Sequence, residues 1–146
     1  KISSKLGTIR IGTVGDSSEC ANIIHSWIMS TKWMPNVVSI KELEIVFKKN
    51  IPLREFWVFG DPILGYLSFD KERSQIMGLY VTERNRGIGK ALVNQLKEGK
   101  NFIQLWSHLP NIEAHKFYYR EGFVQTERNN SGSDGLPELK FIWNSF

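Results

Sequence analysis

The chain has 146 residues, of which 41% are hydrophobic and 23% are charged, a composition that suits a globular protein and argues against a disordered one. Its 19 basic and 15 acidic residues give a net charge of +4, which is compatible with a polyanionic ligand but lacks the dense basic cluster of a nucleic-acid-binding protein. A single cysteine, Cys20, excludes an internal disulfide framework and a CxxC metal site, and we expect no bound metal.

The length and the hydropathy pattern predict how the chain is organised. We expect one domain over residues 1–146, because this length can bury a real core but is short for two domains. No apolar run has membrane-spanning length and no signal-peptide pattern is present, so we expect a cytoplasmic protein that does not bind membranes. The sequence begins with Lys1 rather than methionine, which leaves open whether residues precede it in the protein.

The first predicted elements are a strand and two helices. Alternation over Thr8–Val14 predicts the strand. Helical spacing of apolar residues predicts a helix over Ser18–Met29, and Pro35 then breaks the periodicity. Ser39 and Glu42 match a capping box, which predicts the start of a second helix.

Three strands are predicted next. Glu55–Phe59 and Ile63–Phe69 are rich in β-branched and aromatic residues and flank a turn, which predicts an antiparallel hairpin. A polar turn separates them from a third apolar run, Ile76–Val81.

Two glycines follow this third strand and precede a new helical periodicity. Gly87 and Gly89 stand where the loop becomes a helix, so a ligand can approach the backbone while the first helical N–H groups lack intrahelical partners. Such a helix end attracts anions, and five basic residues against two acidic ones between Glu83 and Lys100 add positive potential. The segment therefore predicts a phosphate or pyrophosphate site, although its spacing matches neither the P-loop nor the dinucleotide-binding fingerprint.

The last elements are a strand, a helix and two more strands. Asn101–Ser107 is predicted to run parallel to the strand before the glycines, because strand, helix and strand in one sheet form a right-handed crossover. The helix is predicted over Asn111–Glu121, and the final strands are Phe123–Thr126 and Leu139–Trp143, separated by a flexible turn.

Two motifs resemble hallmarks of the GNAT superfamily of acyl-CoA-dependent N-acyltransferases. Arg84-Asn85-Arg86-Gly87-Ile88-Gly89 resembles the Arg/Gln-x-x-Gly-x-Gly/Ala signature, a loop that holds the coenzyme A pyrophosphate in that family. Asn111-x-x-Ala114-x-x-Phe117-Tyr118-x-x-x-Gly122-Phe123 resembles the second hallmark and stands one strand and one helix later. The C-terminal pattern of Gly132-Ser133, Pro137-Glu138 and Trp143 also resembles one subgroup of bacterial GNAT proteins whose substrate is unassigned.

The resemblance implies an α/β fold with a mixed sheet, in the order strand, two helices, three strands, helix, strand, helix and two strands. It also implies that the two parallel strands splay apart towards their C-terminal ends. The gap, between Leu79–Val81 and Trp106–His108, would admit the pantetheine arm of coenzyme A, in line with ligand binding at the carboxyl ends of parallel strands.

The cofactor that the resemblance implies is acetyl-CoA. Backbone N–H groups of the glycine loop would hold its pyrophosphate, and the exposed backbone of Leu79–Val81 would pair with the pantetheine amides like an added strand. The residues predicted to bind the cofactor are Leu79, Tyr80, Val81, Arg84, Arg86, Gly87, Ile88, Gly89, Lys90, Asn111, Ala114 and Phe117.

The implied reaction is direct attack of a neutral amine on an acetyl thioester in a ternary complex. A backbone N–H near Leu79–Val81 would stabilise the negative charge on the thioester oxygen. Tyr118 occupies the family's general-acid position, and a phenol with a pKa near ~10 can remain protonated and give its proton to the departing thiolate. His108 is the candidate base, since imidazole titrates near neutral pH.

The predicted acceptor is the primary amine of a small molecule. The segment between the first two helices lines the acceptor pocket in the family, so Trp33, Met34 and Asn36 are candidates, while Glu138 and Asp134 could bind a cationic acceptor. The alternatives left open are a non-catalytic acyl-CoA-binding or sensing domain, acetylation of a protein amine, and an O-acyltransferase. The oligomeric state is also open, with a homodimer among the options.

Overall fold

The computed structural model describes residues 7–35 and 38–145. Within these ranges the strands are β1 (Ile9–Ile11), β2 (Glu55–Phe59), β3 (Gly65–Asp70), β4 (Gln75–Val81), β5 (Phe102–His108), β6 (Val124–Asn129) and β7 (Glu138–Asn144). The α-helices are α1 (Ser17–Ser30), α2 (Ile40–Asn50), α3 (Ile88–Lys97) and α4 (Ile112–Arg120), and short 3₁₀ turns cover Val14–Asp16 and Ile51–Leu53. None of the helices in the described part of the chain is both long enough and apolar enough to cross a membrane.

The strands form one mixed sheet in the order β1-β2-β3-β4-β5-β7-β6, in which only β4 and β5 are parallel neighbours over the described residues. Side chains that alternate along β2 and β3 enter two separate cores, because successive residues of a strand point to opposite faces. One core holds residues of α1 and α2, and the other holds residues of α3 and α4. The predicted α/β fold and its element order are confirmed.

The parallel pair diverges soon after it begins. β4 and β5 are paired at Gln75 with Gln104 and at Ile76 with Leu105, and β4 then continues to Val81 without further pairing to β5. At the same point the pairing of β4 with β3 skips Met77. Such a bulge bends the strand and increases its local twist, so the end of β4 is directed away from β5. The predicted splay is confirmed.

The start of the chain shows one confirmed local signal and one wrong boundary. The first strand ends at Ile11 rather than Val14, because Thr13 N–H donates to the Asp16 carboxylate at 2.8 Å and the chain enters a 3₁₀ turn. The capping box before α2 is confirmed, because Ser39 is the N-cap and its Oγ accepts a hydrogen bond from the Glu42 N–H.

Two further strand boundaries differ from the prediction by two residues or more. The second hairpin strand begins at Gly65 rather than Ile63, because Leu64 N–H bonds the Phe59 carbonyl and so belongs to the turn. The sixth strand runs to Asn129 rather than ending at Thr126, because it pairs with β7 along its whole length.

Candidate active site

A cleft of about 480 Å³ opens where β4 leaves β5. Its walls are the end of β4, the loop into α3, the first turn of α3 and the inner side of α4. It is lined by Tyr118 and by every residue predicted to bind the cofactor, namely Leu79, Tyr80, Val81, Arg84, Arg86, Gly87, Ile88, Gly89, Lys90, Asn111, Ala114 and Phe117. One concave site therefore brings together both sequence motifs.

The loop before α3 presents bare backbone to this cleft. Gly87 is the N-cap of α3 with φ of 77°, a left-handed conformation that glycine adopts without steric penalty. A Cβ added to Gly87 would meet nothing within 4 Å, so this side of the backbone is open. The N–H groups of Ile88, Gly89 and Lys90 occupy the first turn, where no intrahelical carbonyl is available. This geometry suits a phosphate group.

Gly89 has a different role, which is close packing between helices. A Cβ added to Gly89 would lie 3.2 Å from Cζ of Phe117 on α4. The absence of a side chain therefore lets α4 approach α3 and brings Phe117 and Tyr118 to the cleft wall.

The charges around the loop are mostly basic. Arg84 is exposed and has no ion pair or hydrogen bond to the residues that the structure describes, so its guanidinium is available to a ligand. Arg86 pairs with Glu83, and Lys90 Nζ lies 3.7 Å from the buried Glu121 carboxylate. Together with the helix N-terminus, these groups favour an anion.

The end of β4 offers hydrogen-bonding groups to the cleft. Thr82 N–H donates to the Leu64 carbonyl at 2.8 Å, and an antiparallel strand directs alternate N–H groups to opposite sides. The N–H of Tyr80, like that of Thr82, therefore bonds β3. The N–H groups of Leu79 and Val81 point the other way, into the gap between β4 and β5. They could pair with an extended ligand.

Tyr118 stands on the opposite wall, on the inner side of α4. Its side chain is 8% exposed and packs against the rings of Phe117, Phe123 and Phe141 at centroid distances of 5.3, 5.5 and 5.8 Å. Burial raises the pKa of the Tyr118 phenol well above its ordinary value, and nearby Tyr80 adds to the effect. The phenol is therefore protonated at neutral pH, and its O–H is a hydrogen-bond donor.

Asn111 begins α4 and lines the cleft. Its Oδ1 accepts a hydrogen bond from the Ala114 N–H at 3.3 Å, which caps the helix. The acceptor half of this side chain is thus engaged, and its Nδ2 remains the group that can donate to a ligand.

A cluster of rings lies on the α1 face of the sheet, beyond the cleft. Trp33 contacts the His108 ring at 5.1 Å and the Trp27 ring at 5.5 Å, and Trp27 contacts Tyr80 at 5.0 Å. His108 and Trp33 do not line the cleft itself, whereas Trp27 does. Trp27 falls within the predicted first helix but was not among the predicted site residues. Its position in the last turn of that helix, six residues before Trp33, was the available signal.

His108 is paired with a carboxylate from the loop between β6 and β7. Its Nε2 lies 2.6 Å from Oδ2 of Asp134. Burial alone raises the pKa of Asp134, but the hydrogen bonds from His108 and from the Leu136 N–H outweigh it and hold the pKa below its ordinary value. Burial also raises the pKa of Tyr80 to about 12, and the Asp134 charge contributes to that rise.

The other predicted acceptor residues are more scattered. Glu138 is the register partner of His108 on β7 and projects from the same face of the sheet. Met34 is partly buried in the segment after α1, and Asn36 lies outside the described residues. No cluster of metal-ligating side chains occurs in the ranges that the structure describes.

A second groove, of about 520 Å³, runs along the polar side of α1 and meets the cleft. The two cavities share Trp27, Val81 and Arg84. The remaining lining residues of the groove are Glu19, Asn22, Ile23, Ser26, Ser30, Ile63 and Thr82. The end of β4 is therefore accessible from both faces of the sheet.

Comparisons with known proteins agree with this geometry. No curated protein sequence gives a significant match. Among solved structures, the chain is similar to a GCN5-related N-acetyltransferase from Rhodopseudomonas palustris, with a TM-score of 0.76 and 16% identity over 99% of both chains. It is also similar to a GNAT family acetyltransferase from Bacillus cereus, with a TM-score of 0.75 and 16% identity over 97% of this chain and 99% of the other.

A third similar structure is the yncA protein from Salmonella typhimurium, which was solved with its cofactor acetyl-CoA. The TM-score is 0.70 and the identity is 18%, over 94% of this chain and 92% of the other. At these identities the likeness shows a shared fold. The sequence family described as "Acetyltransferase (GNAT) domain" matches residues 52–125, just over half of the chain. The chain therefore belongs to the GNAT acetyltransferase family.

Proposed function

We propose that this protein transfers an acetyl group from acetyl-CoA to the primary amine of a small molecule, by direct attack in a ternary complex. The observation that carries the proposal is the single cleft that joins a basic helix N-terminus, the unpaired edge of β4 and the buried phenol of Tyr118. Acetyl-CoA is also the cofactor present in the structurally similar yncA protein.

The cleft fits the parts of coenzyme A one by one. The N–H groups of residues 88–90 and the exposed guanidinium of Arg84 would hold the pyrophosphate. One of the N–H groups of Leu79 and Val81, together with the Asn111 amide, would bond the pantetheine arm, as an added strand bonds the edge of a sheet. The cleft volume of about 480 Å³ is in the ordinary range for a small-molecule site.

The chain would contribute two groups to the chemistry of the thioester itself. When bound, acetyl-CoA supplies a thioester whose carbonyl carbon accepts the amine. The N–H of Leu79 or Val81 would stabilise the oxygen that gains negative charge, since neither is used by β3. Tyr118 Oη would give its proton to the departing sulfur, because burial keeps the phenol protonated.

The acceptor would reach the gap from the α1 face. This face carries the carboxylates of Glu19, Asp134 and Glu138, and Arg84 of the basic loop stands where the groove meets the cleft. Carboxylates and aromatic rings together suit an ammonium group. His108 would take the proton of the attacking amine, because it ends β5 on this same face and its ring contacts Trp33.

Replacement of Tyr118 by Phe tests the catalytic role. We expect kcat to fall by about a hundredfold or more, in an assay of thiol release from acetyl-CoA with a panel of primary amines, because the general acid is lost. The Kd for coenzyme A, measured by calorimetry, should stay the same.

Tyr119→Phe is the matched control, since Tyr119 is 53% exposed and does not line the cleft. Unchanged turnover of Tyr118→Phe would remove the acid role and favour a non-catalytic acyl-CoA-binding protein. If the wild-type protein failed to bind coenzyme A, the whole proposal would fall.

A further inference from the structure

We propose that Asp134 is a positioning residue for His108, which it holds in the form that leaves Nδ1 free to accept the proton of the acceptor amine. This inference rests on the proposed function and assigns a role to the loop between β6 and β7. It is carried by the 2.6 Å contact between Asp134 Oδ2 and His108 Nε2 and by the structure of the loop that places the carboxylate there.

The loop is held in place by its own hydrogen bonds. Asp134 Oδ1 accepts from the Leu136 N–H at 3.0 Å, so both carboxylate oxygens are engaged. Gly132 N–H donates to the Leu136 carbonyl at 2.8 Å, and Gly135 N–H donates to the Gly132 carbonyl at 2.9 Å. Gly135 has φ of 83°, which permits this tight return. The carboxylate is therefore aimed at His108 by a defined turn.

The contact fixes which imidazole nitrogen carries the proton of a neutral ring. An ionised carboxylate only accepts hydrogen bonds, so His108 Nε2 must be the donor. The lowered pKa of Asp134 is consistent with an ionised partner at neutral pH. Nδ1 then keeps its lone pair and is the nitrogen that can act as a base.

The ring and its backbone are clamped from several sides. The His108 ring packs on Trp33 at 5.1 Å and is stacked with Trp27 at 6.5 Å and an interplanar angle of 25°. The His108 carbonyl accepts a hydrogen bond from Nε2 of the buried His115 at 3.0 Å, which ties the end of β5 to α4. A ring held in this way has little freedom to turn its Nδ1 elsewhere.

The charged and titratable neighbours of His108 do not displace Asp134. Glu138 lies opposite on β7, and Lys140, two residues further along the same face, is 3.5 Å from the Glu127 carboxylate. His115 meets only the backbone carbonyl among the described contacts of His108. In the reaction, one proton leaves the amine nitrogen for Nδ1 as the N–C bond forms, and His108 later releases it to water, so no other reactant is needed.

Asp134→Asn tests the inference with two readouts. The substitution keeps the acceptor for the Leu136 N–H but offers an amide N–H to His108 Nε2, so the proton of the ring should move to Nδ1. Long-range ¹H–¹⁵N NMR spectra of the cofactor-free protein should show protonated Nε2 in the wild type and protonated Nδ1 in the variant. The kcat should fall by roughly a hundredfold, with KM for acetyl-CoA unchanged.

Two further variants make the test specific. In a His108→Ala background, Asp134→Asn should lower kcat almost no further, since a positioning residue acts through its partner. Glu127→Gln is the control, because Glu127 lies in β6 outside the site, and it should change neither the spectra nor the kinetics.

A wild-type ring with protonated Nδ1 would overturn the inference, as would a loss of kcat without a change of tautomer or a change of tautomer without a loss of kcat. If the wild type acetylated no amine, the proposed function would fail, and the spectra alone would decide whether Asp134 orients His108.

Discussion

Glycine has two different physical roles in the loop that begins α3. Gly87 is required for its left-handed backbone, because an L-residue would be strained at φ of 77°. Space is not the reason, since a Cβ there would meet no atom within 4 Å. Gly89 is required for space, because a Cβ there would press on the Phe117 ring. Ile88 between them is 1% exposed and belongs to the core. The same short motif thus serves backbone shape, helix packing and stability.

Gly87→Ala separates strain from binding, and Gly99→Ala is its matched control. Both glycines have φ of 77° and open space around the missing Cβ, but only Gly87 lines the cleft. Each variant should lose about 1 kcal/mol of unfolding free energy in urea titrations, because both put an L-residue in the left-handed region. Only Gly87→Ala should weaken coenzyme A binding, by roughly tenfold, as measured by calorimetry. Equal affinities in the two variants would contradict a phosphate site at this loop.

At the scale of elements, the site depends on an interruption of regular pairing. The bulge at Met77 ends the contact between β4 and β5 and exposes alternate N–H groups of β4. The far end of β5 is fixed separately, because His115 on α4 bonds the His108 carbonyl at 3.0 Å. The gap is therefore held open by a bent strand on one side and by a strand tied to a helix on the other.

Helix and turn signals were predictable from sequence because they are local. The capping box of Ser39 and the start of α3 between Gly87 and Gly89 depend on residues within one turn of each other. The bulge at Met77, the insertion of β7 between β5 and β6, and the contact of Asp134 with a histidine 26 residues earlier depend on distant partners. Periodicity carries no information about such pairings.

His115→Gln tests the tie between α4 and β5 through the pH dependence of stability. Burial lowers the pKa of His115 below the ordinary value, so the unfolded chain binds a proton more readily than the folded one. The neutral ring should therefore stabilise the fold fully above about pH 6.5, and this stabilisation should be lost as the pH falls below it.

The glutamine side chain can still donate to the His108 carbonyl but does not titrate. In urea unfolding, the advantage of the wild type over His115→Gln should be larger at about pH 7.5 than at about pH 5.5, by up to about 1.4 kcal/mol per pH unit between the unfolded and folded pKa values. A difference between the two proteins that stayed constant with pH would contradict the assignment.

At the scale of the whole molecule, the fold gathers basic groups at the α3 N-terminus and carboxylates on the α1 face of the gap. The net charge of +4 does not show this arrangement, because it sums residues that are far apart in the sequence and that only the fold brings together. The α3 N-terminus and Lys90 line the cleft, Asp134 and Glu138 lie on the α1 face, and Arg84 lines both cavities. The polarity suits an anionic donor that enters from one side and a cationic acceptor from the other.

Amide hydrogen exchange tests this arrangement across the molecule. Coenzyme A should slow exchange at residues 88–90 and at Leu79 and Val81, because those N–H groups face the cleft. The amides of Tyr80 and Thr82 should change little at short exchange times, because they are already bonded to β3.

Inorganic pyrophosphate is the matched ligand for this measurement, because it should protect the loop amides and leave Leu79 and Val81 unprotected. Both ligands should bind more weakly as salt is added, since the pyrophosphate contacts are charged. Protection of Leu79, Tyr80 and Val81 alike would mean that coenzyme A stabilises β4 as a whole rather than bonding its free edge. The splayed strands would then be a consequence of packing without a part in holding the pantetheine arm.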